Sequence, residues 1–531
     1  VSAAAFALAA HADPRPQAPF LDGMGEYTNP TGSPSKLAQR YFDQGMVLAW
    51  GFNAAEAARS FEAAARVDPK CGICFWGLAW SLGPNVNTDM HKADAARLQV
   101  AVRRAEALSV NAPPRHRGLI AALLARHPKQ GVVDEERYVA EMRALAKRNP
   151  RDADILALAA ESQLNLHPYD WWEQDGAPKP STPEIEALLA AALKAAPDHP
   201  GANHYWIHLM EASPTPERAL PSASQLERLV PGSAHLLHMP AHVYMRVGRY
   251  AEASAAGERS IAADERYLAR AKTQTQYVVG YAAHNHHFVW ASAAMAGRGS
   301  AAIAAARAAY RVACGPQPTL RDGTLQHYFA LEYYALVRFG RWEELVKATL
   351  PPDTYAPYPL VVWHFARGVA LVRTGKPRDA RKELDALEKA AADPTLKDVK
   401  VKNINPASSL ARIASLTLRA ELAFADKKNP DAVKLLEEAV AIEDGLAADE
   451  PHMWLAPTRH ALGAGLLRAG RAQEAERVYR EDLARYPENG WSLYGLSHAL
   501  AKQGRADEAR EVDERLRAAW QSADVDLRTL R

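Results

Sequence analysis

The stretch Gly248-Arg249-Tyr250-Ala251-Glu252-Ala253 decides how the rest of the chain is read. A glycine that closes one helix, an aromatic that covers the turn, and an acidic residue followed by alanine predict two antiparallel helices joined by a tight turn. The same punctuation returns at Gly340-Arg341-Trp342-Glu343-Glu344, and more plainly at Gly375-Lys376-Pro377, Gly470-Arg471 and Gly504-Arg505. A recurring helix pair cannot bury its apolar face alone, so successive pairs are expected to stack.

Bulk properties agree with an array. The chain has 531 residues, more than the ~250–300 at which one hydrophobic core stops growing. Alanine-rich stretches such as 54–67 and 380–392 favour helix, β-branched runs are few, and almost no sheet is expected. Lys+Arg number 64 against 62 Asp+Glu, a formal charge of +2 with no long block of one sign. That balance argues against a nucleic-acid partner. No run of about eighteen apolar residues occurs, so no membrane span is expected.

Outward from the 248–253 turn, the spacing of landmarks resembles the tetratricopeptide repeat, in which two antiparallel helices, A and B, fill about 34 residues. Ala57, Phe61, Ala64 and Pro69 stand at that family's helix B spacing, with Gly45 at the small position of helix A. Ala475, Tyr479 and Pro487 repeat it, with Leu462 and Gly463 upstream and Ala509 one repeat length on. The resemblance spans residues 37–520, is clearest in the C-terminal two-thirds, and lacks landmark residues between 90 and 165. It implies an all-α fold of the α-solenoid class, a superhelix of antiparallel helix pairs.

The expected organisation is a signal-peptide remnant at 1–12, an extended segment at 13–36, N-terminal helical repeats at 37–165, a loop insertion with a helix at 166–198, histidine-rich repeats at 199–350 and C-terminal repeats at 351–531. The remnant is read from a small apolar run ending in Ala10-His11-Ala12, the small-x-small pattern of signal-peptidase sites. It implies export to the periplasm or beyond; the plain alternative is an alanine-rich helix end. Two stretches interrupt the repeats, 166–182 and 350–359, and either is a connecting loop or a cover over the inner face.

Eight of the 19 histidines fall between His204 and His287. In the tetratricopeptide family the second, fifth, ninth and twelfth residues of a repeat share the inner face of helix A, because steps of three and four return to one side of a helix. With Gly248 as the turn, His235, His238 and His242 take the second, fifth and ninth places. Anchoring the preceding repeat on Ala219, Ala223, Leu226 and Pro231 gives His204 and His208 the fifth and ninth and Glu211 the twelfth. Gly297 gives His284 and His287 the second and fifth, and Gly340, Gly470 and Gly504 place His327, His460 and His498 on the same inner face. His286 and His364 fall at the fourth place, between helices.

Helical histidines four apart, as in His204 with His208 and His238 with His242, can chelate one ion, and neutral imidazole ligates copper, zinc and other transition metals. His204, His208, His235, His238, His242, His284, His287 and Glu211 are therefore candidate ligands of copper or zinc, with His327, His460 and His498 lining the groove. The plain alternative is a set of polar groove residues bonded to Tyr, Asn or water. Cys71 and Cys74 are spaced for a local disulfide; Phe75 follows where a haem-attachment site needs His. Trp76, Trp80 and Gly83-Pro84-Asn85-Val86-Asn87 read as packing and a turn, and Trp454, Trp491, Tyr333 and Tyr334 as core or groove lining. No Walker loop, dinucleotide fingerprint, GxSxG or HExxH occurs.

The combination CxxCxWG, GPNxN, HxxHMPxH and HNHH resembles exported bacterial tetratricopeptide-repeat proteins. That resemblance implies fold and export and no reaction. Three functions stay open at the level of sequence. One is a periplasmic scaffold whose histidine-lined groove holds a peptide, protein partner or small ligand. Another is a copper- or zinc-dependent enzyme or metal-handling protein. The third is an assembly scaffold with no small ligand.

Overall fold

The computed structural model of the chain describes residues 18–173, 175–271, 277–314, 322–350, 356–402, 404–447, 449–454 and 456–527; the expected signal-peptide remnant lies outside them. The described residues are helical almost throughout, with one antiparallel pair of two-residue strands, Lys400–Val401 with Asn405–Pro406. No described helix is long and apolar enough to cross a membrane. The chain divides into two compact units, Val1–Ser213 with Arg228–Ser233, and Pro214–Glu227 with Ala234–Arg531.

The first unit opens with Lys36–Trp50 and Ala54–Val67, followed by Gly72–Leu82. Ser35, Asn53, Asp134 and Asp152 each accept from an amide of the first turn they precede, satisfying donors that a helix start leaves orphaned. Phe61 fills the contact among the first three helices. A Cβ placed on Gly45 or Gly77 would come 2.7 or 2.5 Å from its ring, so only glycine lets these backbones approach. Cys71 and Cys74 form a disulfide at the start of Gly72–Leu82. Behind it Trp76 and Trp80 stack in the core with ring centroids 5.5 Å apart, the packing role expected of them.

Between 90 and 165 the helices are Ala95–Leu108, Pro114–Arg126, Glu135–Arg148 and Ala153–Leu166. They end on Ser109, His127, Asn149 and His167 instead of glycine, which is why no repeat punctuation is visible there. Residues 167–173 and 175–181 then form a packed insertion. Trp171 is 1% exposed, Thr182 donates to its carbonyl, and Trp172 Nε1 donates to Leu209 O at 2.7 Å. Tyr169 stands edge-on to His208, ring centroids 5.9 Å apart, so the insertion covers the helix Pro200–Glu211.

In the second unit the turn glycines behave as the sequence requires. Gly248 adopts φ +79°, a left-handed conformation, and a Cβ there would meet Pro487 O at 2.4 Å. It separates Ala234–Arg246 from Tyr250–Arg270, and Gly297, Gly340, Gly375, Gly470 and Gly504 take positive φ at equivalent turns. Tyr479 lies between Gly463 and Gly495 as Phe61 does between its glycines. The helix Pro357–Arg373 begins inside the stretch expected to be a loop at 350–359, and residues 351–355 lie outside the described ones. The fold is all-α, with helix pairs stacked in the tetratricopeptide manner.

Candidate metal centre

Two helices of the second unit build the centre. Ala234–Arg246 carries His235, His238 and His242, with Pro240 inside it. Proline has no amide proton, so the helical rung from residue 240 back to the Leu236 carbonyl is missing, between His238 and His242 in the chain. Ala283–Met295 carries His284 and His287 and is entered through a π turn at Val278–Ala282, a wider winding frequent at functional sites. The helices are tied indirectly: buried Asp264 of Tyr250–Arg270 accepts from Asn285 Nδ2 at 2.6 Å and Tyr277 Oη at 2.7 Å. Burial pushes the Asp264 carboxyl up to about 6.

His238, His242 and His284 converge, each offering a nitrogen within 4.8 Å of the others. His238 Nε2 and His242 Nε2 are 2.8 Å apart. Phe288 forms the apolar floor, its ring centroid 4.5, 4.4 and 5.4 Å from those of His238, His242 and His284. Glu450 bonds the far nitrogen, Nδ1, of His242. That contact puts a proton on Nδ1 of His242 and leaves one proton shared between the two Nε2 atoms across the 2.8 Å gap.

Metal ligation needs a small change from this state. Two nitrogens bound at 2.0–2.1 Å to one tetrahedral ion lie about 3.3 Å apart, so the His238–His242 pair must open by roughly 0.5 Å and the proton between the two Nε2 atoms must leave. The carboxylate behind His242 is the arrangement that orients metal-bound imidazole. Burial first, then the Lys402 ammonium and the imidazoles of His238, His242 and His287, hold His284 well below the usual histidine range. It is therefore neutral at pH 7, the form that ligates. Lys402 is itself neutralised by Asp449, 2.8 Å away, and also donates to Glu450 O at 2.6 Å.

The other candidate residues are placed as follows. His235 packs edge-on to Tyr281, ring centroids 5.1 Å apart, and 5.9 Å from His238. His287 is fully buried beside His327, ring centroids 5.3 Å apart; burial, His327 and Lys402 hold its pKa far down. His327 Nδ1 bonds Tyr358 Oη at 2.9 Å, and burial lowers its pKa to about 3. In the first unit His204 Nδ1 bonds Trp50 O at 2.6 Å, and His208 Nδ1 bonds Glu211 Oε1 at 3.0 Å. The rings of His204 and His208 are 4.8 Å apart between centroids, as their four-residue spacing requires.

The expectation of imidazoles on an open inner wall needs correction. His204, His208, His235, His238, His242, His287 and His327 are all buried, and His284, His460 and His498 half-buried. Aromatic residues and carboxylates close over them: Phe52 on His204, Phe288 on the centre, Tyr358 on His327. His498 rests on Tyr494, ring centroids 4.2 Å apart, and His460 bonds Asp482 at 2.8 Å. Of the fourth-place histidines, His364 bonds Glu383 at 2.7 Å and His286 is half-buried, brought down to about 4 by burial and then by Arg311.

Sequence phase missed Glu450, Asp449, Lys402 and Phe288. Phe288 carried a signal, being four residues after His284 and so on the same helical face. The other three sit in connecting segments, where no periodicity points to them.

Comparison with known proteins places residues 466–527 in a match to the tetratricopeptide repeat. No curated protein matches the chain. Among solved structures, the human IFIT1 dimer with m7Gppp-AAAA is 15% identical, with 92% of this chain and 91% of that one covered and a TM-score of 0.31. The APC/C hetero-tetramer Cut9-Hcn1 is 13% identical, with coverage of 91% and 74% and a TM-score of 0.29.

Proposed function

We propose that the chain is a helical-repeat binding scaffold whose second unit holds a transition metal, zinc or copper, on His238, His242 and His284. The observation that carries this reading is the convergence of three imidazole nitrogens within 4.8 Å of one another. Three nitrogen donors with no thiolate suit copper or zinc. Glu450 fixes the tautomer of His242, and His284 stays neutral without metal, so the ion displaces no proton from it. The fourth coordination position, left to water or a ligand, would join the metal to the binding role of a repeat scaffold. The scaffold's partner is a protein or peptide, the usual occupant of stacked helix pairs. A periplasmic or secreted location is proposed with it, supported by the Cys71–Cys74 disulfide, which persists in oxidising compartments.

The test is the metal content of full-length protein purified without a histidine tag, after incubation with zinc or copper and removal of free metal. One equivalent, lost in His238→Ala with His284→Ala while the fold is retained, is the expected outcome. Metal well below one equivalent, or unchanged in the double variant, removes the proposal.

A further inference from the structure

A second site lies in the C-terminal repeats, away from the histidine centre. Arg338 ends the helix Gly323–Arg338 and enters a cavity of about 190 Å³ whose walls include Trp342, Phe365, Trp454 and Trp491. The guanidinium carbon lies over the Trp491 ring, 3.7 Å from its centroid. Its Nη1 donates to His460 Nδ1 at 3.0 Å, and His460 in turn donates from Nε2 to Asp482 Oδ2 at 2.8 Å. Asp482 is held by Ser492 Oγ at 2.6 Å and Asn489 Nδ2 at 3.1 Å. The chain from Asp482 through His460 thus fixes the tautomer of His460 and the orientation of Arg338.

The other edge of the guanidinium is what calls for a ligand. Arg338 Nε and Nη2 are shielded from solvent and have no hydrogen-bond partner among the described residues, and no described carboxylate stands within ion-pair distance of Arg338. Thr417 Oγ1, another cavity residue, is likewise buried without a described partner. The other charges on the wall, Arg373 and Glu421, neutralise each other at 2.6 Å. A half-buried cation whose two-donor edge is shielded and unmet is disfavoured unless an anion joins it. Consistent with that, burial brings the Arg338 pKa down to about 9, against the opposing pull of Asp482.

We propose that this cavity binds a small organic monocarboxylate with an aromatic or similarly compact apolar body, the Arg338 guanidinium turning its shielded Nε–Nη2 edge to meet the carboxylate while the body sits among Trp342, Phe365 and Trp454. The size fits: a cavity near 150 Å³ takes one benzene ring, and this one leaves space for a carboxylate besides. The geometry of Nε and Nη2 matches a carboxylate better than a single-point anion. None of His238, His242 and His284 lines the cavity, so the inference stands apart from the metal reading.

The experiment uses metal-free full-length protein, with phenylacetate as probe, by calorimetry and by tryptophan fluorescence. Saturable binding of one phenylacetate is expected, weakened at least about tenfold with the uncharged isostere phenylacetamide and in Arg338→Gln, since bonds to a charged group are worth that much. The phenylacetamide comparison needs no variant and stands even where Arg338→Gln fails to fold. Equal affinity for acid and amide overturns the proposal. So does binding of inorganic phosphate in preference to phenylacetate, or phenylacetate binding that Arg338→Gln leaves intact in a folded protein.

Discussion

The contact around Tyr479 and the helix pair bearing His238 and His284 are built on one repeat plan and solve it in opposite ways. At Tyr479, an aromatic fills a slot opened by Gly463 and Gly495, and a Cβ at Gly495 would come within 2.1 Å of the ring. The contact is ring against backbone. On the histidine helices the inner face of helix A carries imidazoles that the fold buries at a cost in desolvation, with Glu450 and Lys402 brought from elsewhere in the chain to face them. The first arrangement earns stability alone, whereas the second is intelligible if something occupies it.

Changes to the two regions should therefore differ in kind. Gly495→Val is expected to cost the largest amount, about 3 kcal/mol of stability by chemical denaturation, because a well-filled contact has no room to relax. A loss under about 1 kcal/mol would show that Tyr479 can move aside and that the contact is looser than drawn.

A buried acid of the first unit sharpens the same contrast. Burial pushes Glu161 up to about 7 despite the pull of Arg126. The carboxyl ionises near 4.5 in the unfolded chain and near 7 in the folded one, so its contribution to stability is complete below the first value and falls as pH rises through this window. Glu161→Gln should remove that dependence and make the variant more stable than the parent at pH 8 relative to pH 4, by up to roughly 3 kcal/mol. Parallel stability profiles for the two proteins would contradict it.

Next in size comes Glu450→Gln, expected to weaken metal binding about ten- to a hundredfold by competition titration while leaving the fold in place. An unchanged affinity would mean that Glu450 does not orient His242. The smallest effect is expected at the exposed Arg412–Glu438 pair, where Arg412→Ala should change stability by less than about 0.5 kcal/mol.

How much of this was readable from sequence follows from what each residue does locally. Gly248 and its equivalents were legible because a left-handed turn leaves few other choices. The histidine faces were legible because helical phase is short-range, and His238, His242 and His284 do meet. Their burial was not, since it depends on Phe288, on Glu450, 208 residues from His242, and on Lys402 in the short strand-pair turn. Arg338 gave no signal either: in Val337-Arg338-Phe339-Gly340 it reads as an ordinary helix-ending arginine, and only the cavity and the missing carboxylate distinguish it. Trp454 and Trp491, read as core or lining, turn out to wall that cavity.

The central claim is that His238, His242 and His284 share one ion. X-ray absorption at the zinc or copper edge of the loaded full-length protein tests it most directly. Imidazole scattering from three nitrogens at about 2.0 Å is expected, falling to two in His284→Ala. A shell of water or carboxylate oxygens without imidazole scattering, or a spectrum that His284→Ala leaves unchanged, would contradict it.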